Sequence, residues 1–429
     1  VSTFPRMKLR FVRNLPLQYG ANEAADRDDP NDPRYVRITD VTQDGLLRPE
    51  TFKSLPLHLA RPYLLADGDL LLARSGATVG KVFMYQSHWG RCCFAGYLIR
   101  LSVDRRRALP RFVWWYTQSK LWVQEVQLSN IQATIQNVSA ERYGEFGMPR
   151  PSLPTQQAIA VFLDRKTAAI DALIEKKQKL LALLAEKRAA LINQAVTKGL
   201  DPNVPMRDSG VAWIGEIPAH WEVVPLRLYA KVIDCKHRTP EYIEEGFPIV
   251  STTEVKPGRL DLTPVTRRVG EADFQDMTQN RTPTRGDIIY SRNASLGAAA
   301  YVDTDEPFAM GQDVVLITKP DLDLLYLSYQ LNSLVGMTQV DLVCIGSTFK
   351  RINVGQIKQI QVCGPPPAEA EQIAAFIDHE EQRQESLRKS LERHLERLQE
   401  YRQALITAAV TGQLGIDEET SHGAFPLEA

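Results

Sequence analysis

Ile159-Ala160-Val161-Phe162-Leu163-Asp164 returns 214 positions later as Ile373-Ala374-Ala375-Phe376-Ile377-Asp378. Ala190-Leu191-Ile192 and Ala195-Val196-Thr197 return at the same offset, as Ala404-Leu405-Ile406 and Ala409-Val410-Thr411 (378 − 164 and 411 − 197). A register unbroken over about forty residues is what a helix of fixed length demands, because one inserted residue turns everything beyond it by about 100°. The chain therefore reads as a tandem duplication whose period is a whole domain, far longer than a solenoid repeat. Two similar halves in one chain suit a partner that is itself two-sided, or two copies of one partner.

Working outward, Pro151-Ser152-Leu153-Pro154 halts a first block, and a helix starts with Pro154 or Thr155 in its first turn. It meets no Gly or Pro before Gly199 and spans roughly 60 Å. Leu163, Ile170, Leu184 and Leu191 follow a heptad, with Ile174 and Leu181 as a second column; Phe162 is a further residue expected to pack or to dock a partner. After Pro365-Pro366-Pro367 a second helix is predicted over 369–411, its seam being Phe376, Leu387, Leu391, Leu398 and Leu405. The spacing divides the chain into a domain at 1–150, a helix at 151–199 and a linker at 200–222. A second domain at 223–364, a second helix at 365–411 and a tail at 412–429 follow. The expected fold class is α/β (α+β): two similar domains separated by two long antiparallel helices forming a coiled coil, with pseudo-two-fold symmetry. The alternative is that each helix packs back on its own block.

Within the first block, residues 35–41, 70–73 and 97–101 read as strands between Gly, Pro and Asp turns, and 112–127 as a helix. The blocks match each other more loosely than the helices do. Asp67-Gly68-Asp69-Leu70-Leu71-Leu72-Ala73-Arg74 pairs with Arg285-Gly286-Asp287-Ile288-Ile289-Tyr290-Ser291-Arg292. The segment 133–139 pairs with 347–353, and Arg37-Ile38-Thr39-Asp40-Val41 with Ser251-Thr252-Thr253-Glu254-Val255. The apolar frame is kept while the polar residues beside it change.

Net charge is −1 overall, yet residues 1–200 hold 29 Lys+Arg against 18 Asp+Glu, and residues 201–429 hold 22 against 34. The first half suits a polyanion; the second must gather its bases on one face or rely on a basic partner. No apolar run of about 18 residues exists to span a membrane, and the opening Val1-Ser2-Thr3-Phe4-Pro5-Arg6 lacks the apolar core of a secretory signal. Five cysteines without paired metal spacing suit a reducing cytoplasm.

Catalytic motifs are missing. Gly76-Ala77-Thr78-Val79-Gly80-Lys81-Val82 places its glycines one residue too close for a phosphate loop, and Val82 stands where Ser or Thr should hold magnesium. Its second copy, Asn293-Ala294-Ser295-Leu296-Gly297-Ala298, has no lysine. A tight Gly turn after a buried strand accounts for both, and such a turn also permits close backbone approach to DNA. Cys235 and His237 are neighbours without a zinc pattern. Neither a nucleophile elbow nor an amino-methyltransferase motif occurs. Arg74 and Arg292 end the matched Gly-Asp strands; arginine is the commonest reader of guanine in the major groove, and a salt bridge to a nearby carboxylate is the alternative.

With these residues in place, the chain resembles the DNA-specificity subunit of type I restriction–modification systems. The resemblance rests on Gln156-Gln157-Ala158 leading into the repeated motif, with Ile170-Asp171 downstream. It rests also on Ala195-Val196-Thr197-Lys198-Gly199, on Trp213-Ile214-Gly215-Glu216-Ile217-Pro218-Ala219-His220-Trp221, and on the Gly-Asp strands. The second helix carries a weaker form of its start, Pro367-Ala368-Glu369-Ala370-Glu371-Gln372. The family implies a non-catalytic subunit with two target-recognition domains, each reading one part of a split double-stranded DNA site. Its helices would be a ruler between them and a docking surface for two modification subunits. Those partners would carry S-adenosylmethionine and methylate adenine; restriction subunits using ATP and Mg would join them, in a prokaryotic cytoplasm. On this reading no cofactor, metal or catalytic residue belongs to the chain itself.

The residues expected to face DNA are Arg37, Thr39, Arg74, Ser75, Thr78, Lys81, Gln136 and Asn137 in the first domain. In the second they are Thr252, Thr253, Ser291, Arg292, Asn293, Ser295, Thr348, Lys350 and Arg351. Two rivals are a coiled-coil scaffold that spaces two protein-binding modules, and a self-sufficient enzyme such as a nuclease.

Overall fold

The computed structural model describes residues 2–42, 47–130, 137–279, 281–320, 322–344 and 350–416. The chain forms two compact units: residues 1–178 with 392–429, and residues 179–391.

The first unit is built on a four-stranded antiparallel sheet in the order Gln18–Tyr19, Leu98–Leu101, Leu70–Ala73, Val82–Met84. Leu70–Ala73 is buried along its whole length because both faces of the sheet are covered. Alternation divides its side chains. Leu70 and Leu72 face a core with Phe112, Trp115, Tyr116 and Trp122, while Leu71 and Ala73 face Val36, Phe83 and Phe94. The aromatic core comes from helices Pro110–Thr117 and Lys120–Asn130. Sequence predicted one helix over 112–127. It breaks at Gln118 and Ser119, where the Ser119 hydroxyl donates to the Tyr116 carbonyl at 2.6 Å and the Gln118 N–H closes on Trp115. The predicted strand at 35–41 is also shorter: Arg34–Val36 pairs in parallel with Cys92–Phe94, and a single 3-10 turn, Ile38–Asp40, follows.

The second unit repeats this plan with one strand more: Lys231–Asp234, Val314–Thr318, Ile288–Ser291, Ala299–Tyr301 and Gly258–Arg259. Ile288 and Tyr290 face one core and Ile289 the other, the same division as in the first unit. Helices Leu325–Asn332 and Leu334–Cys344 take the places of the first pair; Leu334 and Cys344 lie 214 positions after Lys120 and Asn130. Ser139 and Asn353, again 214 apart, cap the next helix alike: each side chain accepts the N–H of the residue three further on, Arg142 or Gln356.

The two long helices run Leu153–Lys198 and Pro367–Thr411, so their starts keep the offset of 214 (367 − 153). In the first unit Ile159, Phe162, Leu163 and Ile170 pack with Leu405, Ile406, Ala409 and Val410, and the Arg402 guanidinium holds Asp171 through two bonds of 2.7 and 3.1 Å. In the second unit Ile192, Ala195 and Val196 pack with Ile373, Ala374 and Ile377, and Arg188 pairs with Glu381. In both units an early segment of one helix meets a late segment of the other, which is antiparallel pairing. The helices also grip their own blocks. Asp164 accepts from Arg111 and from the Trp115 indole at 2.8 Å each. Its repeat, Asp378, accepts from Arg259 at 2.8 Å and from the Tyr329 hydroxyl at 3.3 Å. Trp115 and Tyr329 are themselves 214 apart. The final Asp of the repeated motif is thus the latch between helix and block.

Two predicted seam residues do not lie in a seam: Phe376 is 39% exposed and Leu387 45%. The helix buries Ile373, Ala374 and Ile377 instead, where each fully buried isoleucine contributes about 1.5–3 kcal/mol. Position 376 lies about 100° round the helix from Ile377, on a side the second unit leaves uncovered, whereas its repeat partner Phe162 is buried beside Leu163 in the first unit. Leu391 and Leu405 are buried, Leu398 half-buried, and Ile174, Leu181, Leu184 and Leu191 half-buried.

Candidate nucleic-acid interface

In both units some of the polar residues singled out from sequence meet where the central strand ends: Arg74, Ser75 and Asn137 in the first, and Ser291, Arg292, Asn293 and Arg351 in the second. Arg74 leaves the strand Leu70–Ala73 with its N–H donated to the Tyr97 carbonyl at 3.1 Å, and its own carbonyl accepts the Val138 N–H at 2.8 Å. Arg292 leaves Ile288–Ser291 in the same way, donating to Asp313 at 2.9 Å and accepting from Ile352 at 3.0 Å. The backbone frame is therefore one; the side chains diverge. The Arg74 guanidinium lies over the Tyr19 ring, 4.7 Å from its centroid, and its Nε is 3.4 Å from Asn137 Oδ1. Arg292, with a side chain only 7% exposed, is held by Asp234 at 3.0 Å and by the Ile352 carbonyl at 3.3 Å. The carboxylate partner foreseen as the alternative is the arrangement present at Arg292, and not the one at Arg74.

The turn after each strand explains its glycines. Gly80, at φ +84°, donates its N–H to the Ala73 carbonyl and to the Tyr143 hydroxyl, each at 3.1 Å, and accepts the Trp122 indole N–H at 2.6 Å. A Cβ there would stand 2.9 Å from both γ-methyls of Val126. Gly297, at φ +80°, would meet Met337 and Val340 at 3.2 Å, and Val340 is the 214-offset partner of Val126. The phosphate-loop look of Gly76 to Val82 is thus a turn seated against a helix.

The remaining candidates fall into two groups. Ser75 bridges Asn137 across the turn, the Thr78 hydroxyl reaches the Ser75 carbonyl at 3.5 Å, and Lys81 and Asn137 are exposed. Thr39 is exposed, Ser295 half-buried, and Lys350 exposed. Others are engaged within the protein. Arg37 clasps buried Asp40 through Nε and NH2, at 3.0 and 2.8 Å, and also reaches the Thr51 carbonyl; these bonds raise its already high pKa. In the matched turn Arg267 supplies the guanidinium, on Glu254, whose carboxylate also accepts the Ser251 N–H and the Thr253 hydroxyl. Thr252 and Ser291 are buried, and Ser291 donates to the Asn293 carbonyl. Asn293 and Arg351 both bind Asp313. Gln136 and Thr348 lie outside the described residues, as does half of the matched pair 133–139 and 347–353.

Sequence reasoning missed Tyr19, Tyr97, Asp234 and Asp313, which complete these clusters. They sit some 20 to 60 positions from the arginines they meet, and only strand register brings them together.

Asp234, Cys235 and His237 place one donor atom each within 4.8 Å of one another. Cys235, however, belongs to an apolar core, and burial pushes its thiol pKa up; Asp234 already bonds Arg292 and, at 3.2 Å, His237. That environment disfavours the thiolate a metal requires. A groove of about 790 Å³ lies in the first unit between strand Val82–Met84 and helix Lys120–Asn130, with Gly80, Phe83, Trp122, Val126 and Gln403 among its walls. Among the described residues lining it, Lys81 is the one charged residue.

Two matched sheets carry different polar sets at their strand ends on one backbone frame. The chain belongs to the family described as the type I restriction modification DNA specificity domain, which matches residues 21–182 and 221–397. Members of this family are non-catalytic specificity subunits. The chain is 21% identical over 307 residues to the type I restriction enzyme MjaVIII specificity subunit of Methanocaldococcus jannaschii, covering 70% of this chain and 69% of that protein. In fold it resembles the HsdS subunit of Thermoanaerobacter tengcongensis, with TM-score 0.54, 18% identity and coverage of 96% and 97%. A chain from a structural study of type I restriction–modification complex assembly and conformational transition aligns with TM-score 0.69, 17% identity and coverage of 96% and 98%. No helix among the described residues is long and apolar enough to cross a membrane.

Proposed function

We propose that each unit reads one part of a bipartite DNA site, and that the chain directs adenine methylation and restriction by partner subunits in a prokaryotic cytoplasm. The observation that carries this reading is the pair Arg74 and Arg292: identical backbone bonding, different side-chain partners. One scaffold presenting two polar sets is what two different half-sites require, because base edges are read by side-chain donors and acceptors. The residues assigned to DNA are those named above; in the first unit Thr39, Lys81 and Asn137 are exposed, and Arg74 and Ser75 half-buried.

Two modification subunits, which would bring S-adenosylmethionine, are the proposed partners, together with ATP- and Mg-using restriction subunits. Exposed Phe376 and Leu387 are offered to such partners, since apolar side chains of this size on a helix surface are otherwise a cost. The test is Arg74→Ala in the complex assembled with its modification subunits. Affinity for DNA altered in one half-site should converge with affinity for the intact site, at a loss of about 1–3 kcal/mol. Unchanged affinity together with an unchanged methylation pattern overturns the assignment.

A further inference from the structure

We propose that Tyr97 is a specificity-determining residue of the first unit, contacting the 5-methyl group of a thymine in the major groove. The proposal rests on the chain being a DNA reader and adds a residue and a base to that reading. Ala73 and Leu98 are register partners in the antiparallel ladder, which sets Arg74 opposite Tyr97 just beyond the strand ends. Tyr97 stands in the turn that leads into the strand Leu98–Leu101, with its carbonyl bonded to the Arg74 N–H at 3.1 Å.

Tyr97 is 67% exposed, yet its backbone is fixed on both sides. Its carbonyl accepts the Arg74 N–H, the Gly96 N–H donates to Ala21 at 2.7 Å, and the Leu98 N–H donates to Ala95 at 2.9 Å. A ring carried on a fixed backbone has only its two side-chain torsions left to order on binding. Its neighbours determine what it meets. Arg74 and Asn137 carry the donors that suit guanine and adenine edges in the major groove, and along those edges thymine's methyl is the apolar group. The second unit has Asp313 in the same backbone role, with its carboxylate engaged by Asn293 and Arg351. The contact is therefore confined to one half-site.

The experiment uses the full chain assembled with its modification subunits, on duplexes in which each thymine of the methylated site is replaced singly by deoxyuridine. One replacement in the first unit's half-site should weaken binding by the wild type about fourfold, the effect of one buried methyl group. The same replacement should leave Tyr97→Ala unaffected, while Tyr97→Phe behaves as the wild type. Replacements in the other half-site should act equally on all three proteins. If every replacement acts equally on wild type and Tyr97→Ala, the inference is overturned while the reading of the chain as a DNA reader stands. If the wild-type complex shows no sequence preference on any duplex, that broader reading falls, and this one with it.

Discussion

Gly80→Ala tests whether the turn after the central strand is set by packing. Two costs add. An L-residue held at φ +84° loses about 1–2 kcal/mol, and the new methyl, 2.9 Å from both Val126 γ-carbons, overpacks the site by about 1–3 kcal/mol. The expected loss is about 2–5 kcal/mol in the first unit. Val126→Ala alone should cost about 1–2 kcal/mol, the transfer of two methyl groups from a buried site. The double variant separates the two costs, because the atoms removed at Val126 are the ones the new methyl strikes. Its loss should fall short of the sum of the singles by about 1–3 kcal/mol, leaving the backbone term. Native-state hydrogen exchange at the amides of Leu70–Ala73 and Lys120–Asn130 reads the first unit without assuming that both units unfold together. Gly297→Ala serves as a comparison: its methyl would meet a flexible Met337 at 3.2 Å, so a smaller loss is expected. Additivity within about 0.5 kcal/mol in the Gly80 and Val126 cycle refutes the reasoning.

Two other perturbations follow from charges in the clusters. Asp234→Ala leaves the buried Arg292 guanidinium without its carboxylate; because Asp234 is itself 37% exposed and water reaches it, the second unit should lose about 1–3 kcal/mol rather than the full cost of a buried pair. Exchange protection in Ile288–Ser291 unchanged within about 0.5 kcal/mol would remove Asp234 from its positioning role. Burial raises the pKa of Asp69, against the pull of Ala66 N–H, the Ser102 side chain and Arg100. A raised carboxyl pKa means the folded chain holds its proton more tightly than the unfolded one, so the contribution of Asp69 to stability declines as pH rises between the two values. Urea unfolding of wild type and Asp69→Asn from acid to neutral pH should show the wild type losing ground as pH rises; the opposite slope contradicts this origin.

The long helices and the strand Leu70–Ala73 were legible because periodicity and burial act on neighbours in sequence, and the duplication supplied each pattern twice. The break at Ser119 was not, since a side chain capping its own helix leaves no Gly or Pro to mark it. Phe376 was misplaced for a related reason: a heptad count from one large residue cannot tell an inward column from its neighbour when Ile373 and Ile377 are equally apolar. At the ends of the central strands, Arg74 and Arg292 announced themselves by position, but their partners did not. Tyr19 and Asp234 occupy edge strands more than fifty positions away, and which of an aromatic or a carboxylate stands beside the arginine is decided by register.

The unit boundaries cross both long helices, at residues 178–179 and 391–392, and each unit draws on both helices. No single cut of the chain can therefore release either unit intact. A protease nick in the linker around Gly210 would yield two fragments that each own part of both cores, tied by Arg402 to Asp171 in one and Arg188 to Glu381 in the other. Such fragments should copurify, and made separately they should find each other, as a split protein does.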